Sequence, residues 1–89
     1  MPFLSILWDL DDDPAGNVHH CLEHGVTKEE VEEVVQDPLI GTGTSRSSGM
    51  PAMFGDTRAG RHLIVIYEVI DDDTIYPITA YDVARRVQP

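Results

Sequence analysis

Apolar residues are densest in one stretch, Gly60-Arg61-His62-Leu63-Ile64-Val65-Ile66-Tyr67-Glu68-Val69-Ile70. On an extended backbone Leu63, Val65, Tyr67 and Val69 fall on one face, and Ile64, Ile66 and Ile70 on the other. A strand apolar on both sides belongs inside a sheet with cover on each face. Its β-branched residues suit a pleated surface better than a helix. The remaining elements read as partners or cover for this strand.

Phe3 to Trp8 reads as a short first strand, closed by the Asp9-Leu10-Asp11-Asp12-Asp13 run. Asp13-Pro14 has the form of a helix start, with Asp13 as N-cap and Pro14 at the first helical position. Val18, Cys21 and Leu22 would form its buried stripe, and Gly25 its left-handed stop. Thr27-Lys28-Glu29-Glu30 is a capping box, and Val26 and Val31 have the spacing of a hydrophobic staple. Val31, Val34 and Val35 make the inner face of this second helix, which Asp37-Pro38 ends. Residues 39–49 read either as an irregular edge strand or as a loop. Residues 50–57 read as a strand weakened at Gly55, and Arg58-Ala59-Gly60 as a hairpin loop. After the central strand come a charged turn, 71–73, and a last strand, 74–81, with Tyr76, Ile78 and Ala80 on one side. Pro77 lacks an amide and belongs at a bulge or facing away from the ladder. Residues 82–87 suggest a final helical turn. The order is one strand, two helices, then a three- to four-stranded antiparallel meander, an α+β fold with the helix pair on one sheet face. The 89 residues form a single domain, small enough that a homodimer or partner would add useful stability.

Charge narrows the function. The formal net charge is −10. Residues 1–37 carry ten carboxylates and one base, Lys28, whereas residues 38–89 carry six carboxylates and all five arginines. This argues against a general nucleic-acid binder but leaves room for a local cluster of Arg46, Arg58, Arg61, Arg85 and Arg86. The single cysteine, Cys21, excludes an internal disulfide and fits a reducing compartment. Met1 to Trp8 has no basic start and is too short for a signal peptide or a membrane span, so we expect a cytoplasmic protein with no membrane partner.

Several motifs occur in a distinctive order. Trp8-Asp9, Asn17, His24-Gly25-Val26, Glu29-Glu30, Val34 and Asp37-Pro38 lie in the first half. Gly60-Arg61-x-Leu63-x-Val65-x-Tyr67, Ile75-x-x-Ile78-Thr79-Ala80 and Arg85-Arg86 lie in the second. The set resembles the BrnT-type family of bacterial toxins over nearly the whole chain. The resemblance implies RelE/ParE-like architecture, a metal-independent endoribonuclease, and a cognate DNA-binding antitoxin that covers the arginine-bearing sheet face. The chain departs from the family pattern at Glu23 for lysine, Tyr81 for arginine, Asp82 for a basic residue and Val87 for glutamate. A second lysine, after Trp-Asp, is replaced within the aspartate run.

Cleavage of this kind needs deprotonation of a 2′-hydroxyl, stabilisation of the phosphorane and protonation of the leaving oxygen. Arginine suits phosphate because its fork matches the oxygens. The candidate catalytic set is Arg61, with Arg58 across the turn, Arg85 with Arg86 from the C-terminus, and Tyr81 or His62 for proton transfer. The plain alternative is that arginines near turns are paired to aspartates and a strand tyrosine is half core. A non-catalytic relative that only binds protein is the rival function. His20 and His24 have i, i+4 spacing beside Glu23, yet Cys21 points to the core and a histidine in a last turn caps carbonyls, so no metal and no cofactor are expected. The acidic runs 11–13, 29–33 and 71–73 lack the alternating ligands and glycine of a calcium loop.

Overall fold

The computed structural model describes residues 5–36, 41–44 and 49–83, with 41–44 as backbone only. Its elements are β1 (Ser5–Ile6), α1 (Asn17–Glu23), α2 (Lys28–Gln36), β2 (Gly41–Thr44), β3 (Pro51–Asp56), β4 (His62–Asp71) and β5 (Thr74–Asp82). The described strands form one mixed sheet in the order β1-β5-β4-β3-β2. β2 to β5 make an antiparallel meander, and β1 pairs in parallel with β5. The α+β class and the meander are as the pattern predicts. β1 is shorter than expected, because neither Leu7 nor Trp8 is in strand. The open choice at 39–49 resolves to an edge strand over Gly41–Thr44. Asp37-Pro38 and residues 84–87 lie outside the described residues.

β4 is buried on both sides, from Leu63 to Tyr67. Leu63, Val65 and Tyr67 join Cys21, Val26, Val31, Val34, Val35, Met53, Ile75 and Ala80 in the core under the helices. Ile64 and Ile66 join Ala52 on the other face, flanked by Met50, Phe54, Tyr81 and Val83. Two-sided cover stops there: Val69 and Ile70 are half exposed. Gly55 is buried, and a Cβ there would lie 3.2 Å from Val34 Cγ1. What reads as a weak point in the strand is therefore where Val34 of α2 packs closely on the sheet.

The expected face of β5 is overturned. Ile66 pairs with Thr79 but Tyr67 pairs with Pro77, leaving Ile78 as an extra residue. Such a bulge inverts the alternation, so Ile75 and Ala80, not Tyr76 and Ala80, share the helix-side core. Pro77 sits at this irregularity, as its missing amide requires.

α1 also begins later than Asp13-Pro14. Asp13 Oδ1 accepts from the Ala15 amide at 2.9 Å and makes a turn before the helix. The cap position is Gly16, and the Asn17 amide is taken instead by Asp9 Oδ2 at 2.9 Å. Val18 and Cys21 are buried as expected, whereas Leu22 is 48% exposed. Gly25 has φ +75°, the left-handed conformation that a helix stop needs.

The capping box of α2 forms as read. The Thr27 amide donates to Glu30 Oε1 at 3.0 Å, and the Glu30 amide to Thr27 Oγ1 at 3.2 Å. Thr27→Ala removes one of these bonds, and we expect a loss of about 1 kcal/mol, read as a lower urea midpoint with an unchanged slope.

Candidate functional site

The sharpest polar constellation is built on Arg61. The 57–61 hairpin is closed by Thr57 N–H to the Arg61 carbonyl and Gly60 N–H to the Thr57 carbonyl, both 2.9 Å. Gly60 takes φ +90°, which a side chain would oppose. Arg61 thus enters β4 two residues before Leu63 and projects to the helix side. Its Nε and Nη2 fork onto Asp82 at 3.0 and 2.8 Å. Its Nη1 lies 2.8 and 2.9 Å from the two Glu30 oxygens and 2.8 Å from the Gly25 carbonyl. One guanidinium thereby ties the α1–α2 corner, the α2 N-terminus and the end of β5 to the head of β4. Its hydrogen bonds to Asp82 and then to Glu30 raise its pKa, so it stays charged, and Arg61 in turn lowers that of Asp82. The fork that would match a phosphate already holds the Asp82 carboxylate.

The other expected residues are not gathered around Arg61. His62 and Tyr81 lie on the opposite sheet face. His62 Nδ1 is 2.8 Å from Asp56 Oδ1, its cross-strand neighbour. Tyr81 packs against the Ile64–Ile66 cluster, and its ring centroid is 5.6 Å from that of His24. Arg58 is exposed at the hairpin, where its main-chain amide donates to Glu33 Oε1 at 2.8 Å. Beside it is an open cleft of about 500 Å³ lined by Glu29, Glu32, Glu33, Gln36 and Asp56. Arg46, Arg85 and Arg86 lie outside the described residues. Four of the six candidates are thus described, and they fall at three separate places.

Among the described residues no group of three His, Cys, Asp or Glu side chains is arranged to hold a metal ion. His24 is the C-terminal cap of α1, its amide donating to the Cys21 carbonyl at 3.0 Å. Burial pushes the Cys21 thiol up to about 11, against a weaker opposing hydrogen bond with the Ala80 backbone, so it is protonated and inert at neutral pH. No helix among the described residues is long and apolar enough to cross a membrane.

The residues that sequence reasoning undervalued are Asp9, Asn17 and Tyr76. Asn17 is 2% exposed. Its Oδ1 accepts from the Asp9 amide at 2.9 Å, and its Nδ2 donates to the Leu7 and Pro77 carbonyls at 3.0 and 2.9 Å. Asp9 Oδ2 accepts the Asn17 amide and the Tyr76 hydroxyl, the latter at 2.6 Å. The visible signal was a polar amide in the first turn of a short helix, paired with an aspartate eight residues earlier. The network also closes the outer edge of β5. Leu7 N–H takes the Ile75 carbonyl, Asn17 takes that of Pro77, and Cys21 meets the Ala80 backbone.

The Tyr76–Asp9 bond couples stability to pH at both ends. It lowers the Asp9 pKa, aided by the Asn17 amide, so that contribution is present above the unfolded carboxylate value and fades as pH falls through the folded one. Chiefly the same bond, with burial, pushes Tyr76 from 10.0 up to about 12. Its contribution is present below pH 10 and is lost as pH rises toward 12. Tyr76→Phe should flatten the stability profile at the acid and alkaline ends together, measured by urea unfolding across pH.

Compared with protein-family models, with curated proteins and with solved structures, the chain matches none.

Proposed function

We propose that the chain is a non-catalytic, protein-binding relative of BrnT-type toxins, with RelE/ParE-like architecture and a cytoplasmic setting. One observation carries this reading: Arg61, the residue best suited to hold a scissile phosphate, is engaged by Asp82, Glu30 and the Gly25 carbonyl. RNA would have to displace two carboxylates from it and approach a chain of net charge −10. Tyr81 and His62, the proton-transfer candidates, lie across the sheet from it. The function inherited from the toxin family would then be recognition of a partner, a cognate antitoxin or its equivalent, without the cleavage.

A second reading has one specific support. Tyr81 and His62 share a sheet face, and Arg85 and Arg86 follow Tyr81 closely in sequence. Endoribonuclease activity would therefore be sought on that face. Purified chain incubated with bacterial total RNA and a metal chelator tests both. Intact RNA is expected. Chelator-resistant cleavage that Tyr81→Phe or Arg85→Ala abolishes would overturn the non-catalytic reading in favour of the second.

A further inference from the structure

We propose that the groove between α1, α2 and the 9–13 turn docks a basic amphipathic segment of a partner protein. The inference rests on the protein-binding reading and names its surface and the chemistry of its partner.

The fold leaves one apolar residue of the groove, Leu22, half exposed. Leu22 has the spacing of a core residue in α1 yet is 48% exposed, while Val18 beside it in the groove is 4% exposed. Leu10 is 75% exposed, and its carbonyl closes the turn that carries Asp11. Asp11, Val18, Leu22, Thr27, Lys28 and Glu29 line a cleft of about 280 Å³. That is just below the ~300–1,000 Å³ range of small-molecule pockets, and suits an anchoring side chain or two.

Charge selects the occupant. Lys28, the one base in the lining, is tied to Asp11 at 2.9 Å. Glu29 remains on the wall and also lines the acidic cleft beside Arg58. Exposed Asp12 and Glu23 adjoin the lining residues in sequence. An acidic segment would be repelled by Glu29, Asp12 and Glu23, and a neutral one would gain nothing from their charge. A segment with aliphatic anchors flanked by lysine or arginine would bury Leu22 while its charges met the rim, and would be steered to it. The acidic cleft beside Arg58 has no apolar residue in its lining.

The test is selection of a random-peptide library on the intact folded chain, followed by amide-shift mapping with a selected synthetic peptide. Enriched peptides should combine apolar anchors with Lys or Arg and shift Leu10, Leu22 and Glu29. Leu22→Ser and, separately, Glu29→Lys should each weaken binding about ten-fold or more, as should high salt. Ile70→Ser, half exposed at the other end of β4, should leave affinity unchanged. No enrichment, peptides without basic residues, or shifts centred on Phe54 and Tyr81 would overturn the groove. Binding mapped to that sheet face would leave the protein-binding reading standing, whereas RNA cleavage in the purified assay would remove the reading itself.

Discussion

Asn17→Ala is expected to lower the stability of this fold by about 3 kcal/mol, a large fraction of what a small domain has. The side chain satisfies the Asp9 amide and the carbonyls of Leu7 and Pro77, and the Pro77 bond is buried. Alanine supplies none of the three bonds. Each buried group left unpaired costs about 1–3 kcal/mol, and the helix-propensity gain returns only a few tenths. For a domain of this length, a loss of about 3 kcal/mol corresponds to a fall in Tm of roughly 12–24 °C. Thermal unfolding followed by circular dichroism measures it. Asn17→Asp should also be strongly destabilising, because it places a second carboxylate against Asp9 and removes the donors to Leu7 and Pro77.

Arg61→Ala is expected to cost about 2 kcal/mol. The Gly25 carbonyl loses its donor, and Glu30 and Asp82 are left near each other without the cation between them. Arg61 is 28% exposed and Asp82 59%, so solvent screens the Asp82 arm and the value lies well below that of a buried pair. Arg61→Lys should recover less than half, since a point charge cannot fork onto Asp82 while reaching Glu30. Urea unfolding of both variants, repeated in a Glu30→Gln background, reads the coupling as a double-mutant cycle. If Arg61 instead serves chemistry, its removal would leave stability nearly unchanged.

Local signals were the legible ones. The capping box at Thr27 and the Gly25 stop depend on neighbours in sequence and form as read, whereas the two-sided strand, read over 63–70, is buried on both sides only from Leu63 to Tyr67. The start of α1 was not legible, because its cap position is Gly16 and its first amide is taken by the distant Asp9, while the nearer Asp13-Pro14 pair forms the preceding turn. Nor was the face of β5, since one extra residue at Ile78 reverses the alternation and only pairing with β4 reveals it. Leu22 fits the helical stripe, but in the last turn of α1 it is Cys21 that takes the sheet-side place, and Leu22 beside it is 48% exposed. For the candidate site, Arg61 was found by its place in a motif and its partner was visible as a departure. The carboxylate of Asp82 stands where the resembling family has a basic residue. It is a fork partner for Arg61, so the pairing of turn arginines with aspartates, held as the plain alternative, describes this residue.

The most direct measurement of the central account is induced expression of the chain in a bacterial host, scored for growth arrest and for cleavage of cellular RNA. The account predicts normal growth, intact RNA and accumulation of folded protein, because the arginine that would meet phosphate is held by Asp82 and Glu30. Growth arrest with cleaved RNA, both lost on Arg61→Ala in a variant that still folds, would contradict it.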